Sequence, residues 1–203
     1  MLKSFSKSLD KLSADFGQIK AKQESTDVVF HSLGEKIPAH SAILDERCPY
    51  LLRGVKRASR KWKKRSHQKP YVVKSLGSAE VEGLLHHLLT YVYTGKVSGI
   101  HLVAHRLLAV AREDCCDLPE LRSICGKALC ENVVPQNCVP MLIIAHENNC
   151  RDLRIKAMDV VVGNMASVVE TDEFARLYDC GELFKEVIRK LVGVTDARDA
   201  SAY

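Results

Sequence analysis

Residues Thr26 to Tyr50 read Thr-Asp-Val-Val-Phe-His-Ser-Leu-Gly-Glu-Lys-Ile-Pro-Ala-His-Ser-Ala-Ile-Leu-Asp-Glu-Arg-Cys-Pro-Tyr and admit few local structures. Val28, Val29 and Phe30 are β-branched and aromatic, which favours a strand. Leu33-Gly34-Glu35 is a turn in which Gly34 is free to take positive φ. Lys36-Ile37-Pro38-Ala39 returns as a second short strand. Pro38 has no N–H for a ladder, so that strand belongs at a sheet edge or ends there. His40 and Ser41 then open a helix that carries Ala42, Ile43 and Leu44 inward.

The rest of the chain is mostly helical in pattern. Phe5, Leu9, Leu12, Phe16 and Ile19 alternate at spacings of four and three, one apolar stripe on a helix that Ser4 or Ser6 is placed to cap. Such a stripe serves equally for packing on its own domain or against a partner. Cys48-Pro49-Tyr50-Leu51-Leu52 starts a second short helix. From Arg53 to Pro70 the only apolar side chains apart from that proline are Val55, Ala58 and Trp62, an unusually long polar connection before Tyr71-Val72-Val73 resumes a strand. With Ser78 as N-cap, Val81, Leu84, Leu85, Leu88, Leu89 and Val92 define the clearest amphipathic helix, which Gly95 stops. Helices over Leu102–Arg112 and Leu118–Glu131 follow, and Val134-Pro135 breaks the chain. Beyond Asn137, short helices are expected with Pro140 in a first turn, from about Arg151, after a Thr171 cap, and through Leu183, Val187, Ile188 and Leu191.

These motifs carry a resemblance. The Asp-Val-Val-Phe strand, the Gly turn, Ile-Pro-Ala-His-Ser-Ala-Ile-Leu and Cys-Pro-Tyr-Leu, with the later Tyr-Val-Tyr-Thr-Gly at 91–95, resemble a BTB/POZ domain. The Glu131-Asn132, Ala145-His146 and Glu173-Phe174 pattern is similar to the start of a BACK domain, whose first helices form the 3-box. The resemblance implies an α+β BTB/POZ fold, a small sheet wrapped by helices, with an all-α BACK-type extension. The expected organisation is an N-terminal amphipathic helix over 1–25 and a BTB domain over 26–132 with a basic loop at 53–70. A partial BACK-like segment over 133–192 and a tail over 193–203 follow.

An apolar share of 46% is ordinary for a globular chain, and no apolar run approaches the roughly 18 residues of a membrane span. The N-terminus has no apolar signal region, and Cys125, Cys130, Cys138, Cys150 and Cys180 sit in apolar helical patterns, so free thiols in the cytoplasm, the nucleus or both are expected. No Cys-x-x-Cys pair supports a zinc site, and no phosphate loop, nucleophile elbow or His-Glu-x-x-His supports catalysis. The expectation is therefore no enzyme, no cofactor and no metal.

Function then rests on surfaces. The resemblance implies a protein–protein interaction module, with a substrate adaptor for a cullin-3 ubiquitin ligase as the leading form and an unidentified protein as substrate. Tyr50, Leu51, Leu52, Val55, Leu183 and Val187 would stand at the cullin contact. Homodimerisation would use Phe5, Leu9, Leu12, Phe16 and Asp27. In many BTB domains an Asp at the position of Asp27 pairs with a base just after the Ala-His pair; here Ser41 stands there, so Asp27 must find another partner or remain wet, and Arg47 is one candidate partner. Arg53 to Lys69 holds nine Lys/Arg and no acid, so the net charge of +5 is one local segment on a chain otherwise at −4. The resemblance implies a hydrophobic-x-Glu motif there in cullin-binding members, and its absence is expected to weaken that contact. Arg60, Lys61, Trp62, Lys63, Lys64 and Arg65 can be read as a solvated loop, an import signal, an anion or nucleic-acid contact, or a dock for an acidic protein. No nucleic-acid-binding motif accompanies them. The alternatives to the adaptor are a BTB scaffold without ligase recruitment and a nuclear factor acting through the basic loop.

Overall fold

In the computed structural model, residues 2–53, 71–73, 79–112 and 116–193 are described, the side chains of 2–6, 71, 79 and 80 excepted. The chain divides into two compact units, Met1–Leu121 and Arg122–Tyr203.

The first unit is built on a three-stranded sheet. β1 (Val28–Ser32) lies at its centre, antiparallel to β2 (Glu35–Ala39) and parallel to β3 (Tyr71–Val73). Register runs Val28↔Ala39 and Phe30↔Ile37 on one side, Val28↔Tyr71 and Phe30↔Val73 on the other. Period-two alternation buries Val28, Phe30 and Ser32 while His31 faces out. Ser32 is a polar residue on the buried face, and its hydroxyl donates to the Glu82 carbonyl at 2.9 Å. Gly34 takes φ +83° as the turn requires, with Leu33 beside it at φ +49°. Pro38 sits in an edge strand, where a missing N–H does no harm.

Around the sheet lie α1 (Leu2–Lys22), α2 (Ser41–Arg47), a 3-10 turn (Pro49–Leu52), α3 (Ala79–Thr94) and α4 (Ile100–Val110). All six expected apolar positions of α3, Val81 to Val92, are at most 1% exposed. That helix ends at Gly95, φ +69°, whose N–H reaches the Tyr91 carbonyl at 2.7 Å. One expectation is corrected: Ser4 and Ser6 lie inside α1 rather than at its cap, because the helix already runs from Leu2. The short helix expected from Cys48 forms over Pro49–Leu52 with 3-10 geometry, set off from α2 by Cys48 at φ −156°. Ser78 and residues 54–70 lie outside the described residues.

The division between the units falls inside α5 (Pro119–Cys130). The second unit continues with α6 (Cys138–Glu147), α7 (Arg151–Gly163), α8 (Met165–Val168), a 3-10 stretch (Asp172–Leu177) and α9 (Gly181–Val192). Its core joins Leu142, Ala145, Leu153, Ala157, Val161, Val168, Leu177, Leu183 and Val187, each fully buried. Pro140 falls in the first turn of α6 as expected. Thr171 occupies the N-cap position of the 3-10 stretch, but its hydroxyl turns back to the Val168 carbonyl at 2.7 Å instead of capping forward.

Candidate interaction surface

The face by which α1 sits on α3 is not its apolar stripe. Ser13 donates its hydroxyl to the Thr94 carbonyl at 2.7 Å, and Lys20 donates to the Thr90 hydroxyl at 2.5 Å. Gly17 brings the two backbones close: a Cβ there would lie 3.4 Å from the Thr94 methyl. Burial holds the Lys20 ammonium below its ordinary range. The outer pair Lys96–Asp10 closes at 2.8 Å with both side chains more than 60% exposed, so it contributes little. Phe16 is half-buried at the edge of this contact. Leu9 and Leu12 remain 53% exposed and Ile19 42%. The stripe thus runs along the outside of α1. Phe5 lies in the same helix, and its side chain falls outside the described residues.

A second cluster lies where α1 gives way to β1. The Asp27 carboxylate accepts the Ser41 backbone N–H at 2.7 Å and the Ser41 hydroxyl at 2.5 Å. Its partner is therefore Ser41 and not Arg47, and the residue standing in place of a base is the one that satisfies the acid. The arrangement works as a helix cap delivered from outside the helix: His40, the N-cap residue of α2, makes no side-chain cap bond. His40 turns elsewhere. Its backbone N–H donates to the Tyr93 hydroxyl at 2.9 Å, its Nδ1 meets that hydroxyl at 2.7 Å, and its Nε2 meets the Glu24 carbonyl at 2.8 Å. A carbonyl only accepts, so the neutral ring carries its proton on Nε2 and takes the Tyr93 proton at Nδ1. Burial raises the Tyr93 phenol above its ordinary range, with the hydrogen bond from the His40 backbone opposing and the Asp27 charge adding. Gln23 (φ +54°) and Ser25 (φ +58°) flank Glu24, so the exit from α1 is a tightly determined turn.

The residues expected at a cullin contact are distributed differently. Leu51, Leu52, Leu183 and Val187 are core side chains, none more than 3% exposed. They fix the backbone of their segments and present no side chain outward. Tyr50 is half-buried under the Arg53 guanidinium, 4.7 Å above its ring centroid. Val55 and the basic residues Arg60, Lys61, Trp62, Lys63, Lys64 and Arg65 lie outside the described residues.

All seven described cysteines are free thiols, five of them buried. Among the described residues no group of three or more His, Cys, Asp and Glu side chains could hold a metal ion. Nor is any described helix long and apolar enough to cross a membrane.

A sheet of three short strands, a long N-terminal helix packed on α3 and a helical unit later in the chain make an α+β fold. The BTB/POZ domain family model matches residues 16–133, more than half of the chain, and the chain belongs to that family. It is also similar to the TD and POZ domain-containing protein 1 of Mus musculus, with 26% identity over 168 residues covering 83% of this chain and 44% of the relative. The chain thus spans less than half the length of that curated relative. BTB/POZ domains are protein–protein interaction modules.

The sequence motifs at 37–44 and 91–95 marked the right segments but not their junction. Tyr93 and His40 were missed as partners, and the available signal was a tyrosine at the end of a leucine-rich helix, since a buried phenol needs a polar neighbour.

Proposed function

We propose that this chain is a non-catalytic, homodimerising adaptor whose leading partner is cullin-3. The observation that carries the dimer is the outward stripe of α1. Leu9, Leu12 and Ile19 stand exposed while polar and small residues do the intramolecular packing. Apolar side chains aligned on one exposed helix face favour a matching face. Membership of the BTB/POZ family and a helical unit that follows the domain, read here as BACK-like, support the cullin-3 assignment.

The alternative is a dimeric scaffold that recruits no ligase. It draws support from the acid-free Leu51–Lys69 segment, which lacks the carboxylate that commonly anchors such a contact. Light scattering on the purified chain and calorimetry with the N-terminal region of cullin-3 separate the two. A dimer that Leu9→Gln/Leu12→Gln turns into a folded monomer supports the interface; a wild-type monomer at tens of micromolar removes it. Heat of binding to cullin-3 supports the adaptor, and no heat at that concentration leaves the scaffold.

A further inference from the structure

Three hydrogen bonds meet at His40 and suit a neutral ring. The backbone N–H donates to the Tyr93 hydroxyl at 2.9 Å, Nδ1 accepts that hydroxyl's proton at 2.7 Å, and Nε2–H donates to the Glu24 carbonyl at 2.8 Å. They join the start of α2 to the last turn of α3 and to the exit from α1. The Glu24 carbonyl is well placed to hold the ring, because Gln23 and Ser25 on either side are set at positive φ and the turn has little freedom. A phenol oxygen gives one proton and accepts one good bond in the plane of its ring. Both are in use here: the proton goes to Nδ1 and the accepting position to the backbone N–H. The joint has no place for another proton.

We propose that His40 is a proton-operated switch of the joint between α2 and α3, in which protonation of the ring displaces the residue's own backbone N–H from Tyr93. Protonation turns Nδ1 from an acceptor into a donor, so two N–H groups face one oxygen. The charged ring donor is the stronger competitor. The Tyr93 hydroxyl turns over to accept it and aims its own proton at the backbone N–H, which must leave. Nε2–H keeps its bond to Glu24 in both states, so the ring stays while the backbone at the head of α2 moves. Opening takes up a proton and so grows as pH falls. The charges around the joint act in both senses. Asp27, just before β1, favours the imidazolium; its field reaches Tyr93, and its two oxygens are held by Ser41. Glu24 acts in the same sense from an exposed position, where water screens it. Lys20 of α1, bonded to Thr90 on α3, acts against a second cation, as does the head of α2, whose first turn carries no acid. None of these side chains bonds to the ring, so they bias the change without giving Nδ1 or the backbone N–H another partner.

The His40 amide proton reports the event directly, since the bond to Tyr93 is what shields it from solvent exchange. The test measures amide hydrogen exchange by NMR on the isotope-labelled full chain in steps from about pH 7.5 to about pH 5.5, the span in which an imidazole changes charge. Each rate is divided by that of an unstructured peptide at the same pH, and the His40 ring is titrated on the same sample. The expected result is a roughly tenfold fall in His40 protection that follows the ring's own titration, while the buried Leu88 and Leu89 of α3 stay unchanged. His40→Asn carries an acceptor in place of Nδ1 and nothing to titrate, so protection at position 40 should stay constant in that variant. Constant His40 protection while the ring titrates, a ring that stays neutral throughout, an equal fall at Leu88, or a fall that persists in His40→Asn overturns the proposal. The wild-type titration decides the matter even if His40→Asn does not fold.

Discussion

The hydroxyl of Tyr93 sits between two nitrogens of His40, accepting from its backbone N–H at 2.9 Å and meeting its ring Nδ1 at 2.7 Å. This joins the end of α3 to the start of α2 across 53 residues of sequence. Tyr93→Phe leaves a part-buried donor and a ring nitrogen without partners and is expected to cost about 1–3 kcal/mol. Urea denaturation followed by circular dichroism measures it, and an unchanged midpoint would show that water replaces the phenol.

Asp27 and Ser41 invite a comparison of two truncations. Asp27→Ala removes a charged acceptor from two donors and is expected to cost about 1.5–3 kcal/mol. Ser41→Ala removes only the hydroxyl and retains the N–H bond, so about 0.5–1.5 kcal/mol is expected. The order of the two melting temperatures checks the assignment: equal losses would mean that the backbone N–H contributes nothing to the cap.

Cys125 predicts the alkaline limb of stability. Burial, with the neighbouring Cys150 adding, pushes its thiol up to about 12 from an ordinary 9.0. Between those values the unfolded chain has lost a proton that the folded chain keeps, so stability falls as pH rises through this window and is fully retained below it. The slope from this group alone is about 1.4 kcal/mol per pH unit. Denaturant titrations between pH 8 and pH 11 on wild type and Cys125→Ala would read it. A slope that Cys125→Ala does not reduce would assign the limb to other groups.

Gly126 is the seat of Cys150, since a Cβ added there would lie 2.7 Å from the sulfur. Alanine gains about 1 kcal/mol of helix propensity but meets an overpacking cost of roughly 1–3 kcal/mol, so Gly126→Ala is expected to be neutral at best and usually destabilising. Cys150→Ala should relieve the clash, making the double variant more stable than the sum of the singles implies. Additive losses would show that the sulfur moves aside freely.

Much of this architecture was legible beforehand, for identifiable reasons. The β-branched and aromatic run at Val28, Val29 and Phe30, the glycines at 34 and 95 and the six-residue stripe of α3 are local signals, and each forms as expected. The apolar stripe of α1 was legible too, but not its orientation. Periodicity marks which residues share a face; it does not reveal that Ser13, Gly17 and Lys20 make the intramolecular contact. The same limit explains Leu51, Leu52, Leu183 and Val187. A motif position says where a partner approaches along the chain, whereas burial decides which side chain it can touch. Pairing of Asp27 with Ser41 was hidden because a hydroxyl and a backbone N–H carry no charge by which to look for them.

The parallel alignment of β1 with β3 also imposes an order of events on folding. Ser32 meets Glu35 across a turn three residues on, while Val28 meets Tyr71 only after 43 intervening steps. Local pairing closes a small loop early, and the distant strand joins once the intervening chain has been gathered in. The hairpin is thus the template and the third strand the late arrival. Changes at Val72 or Val73 should act mainly on how fast the folded domain opens, not on how fast it forms.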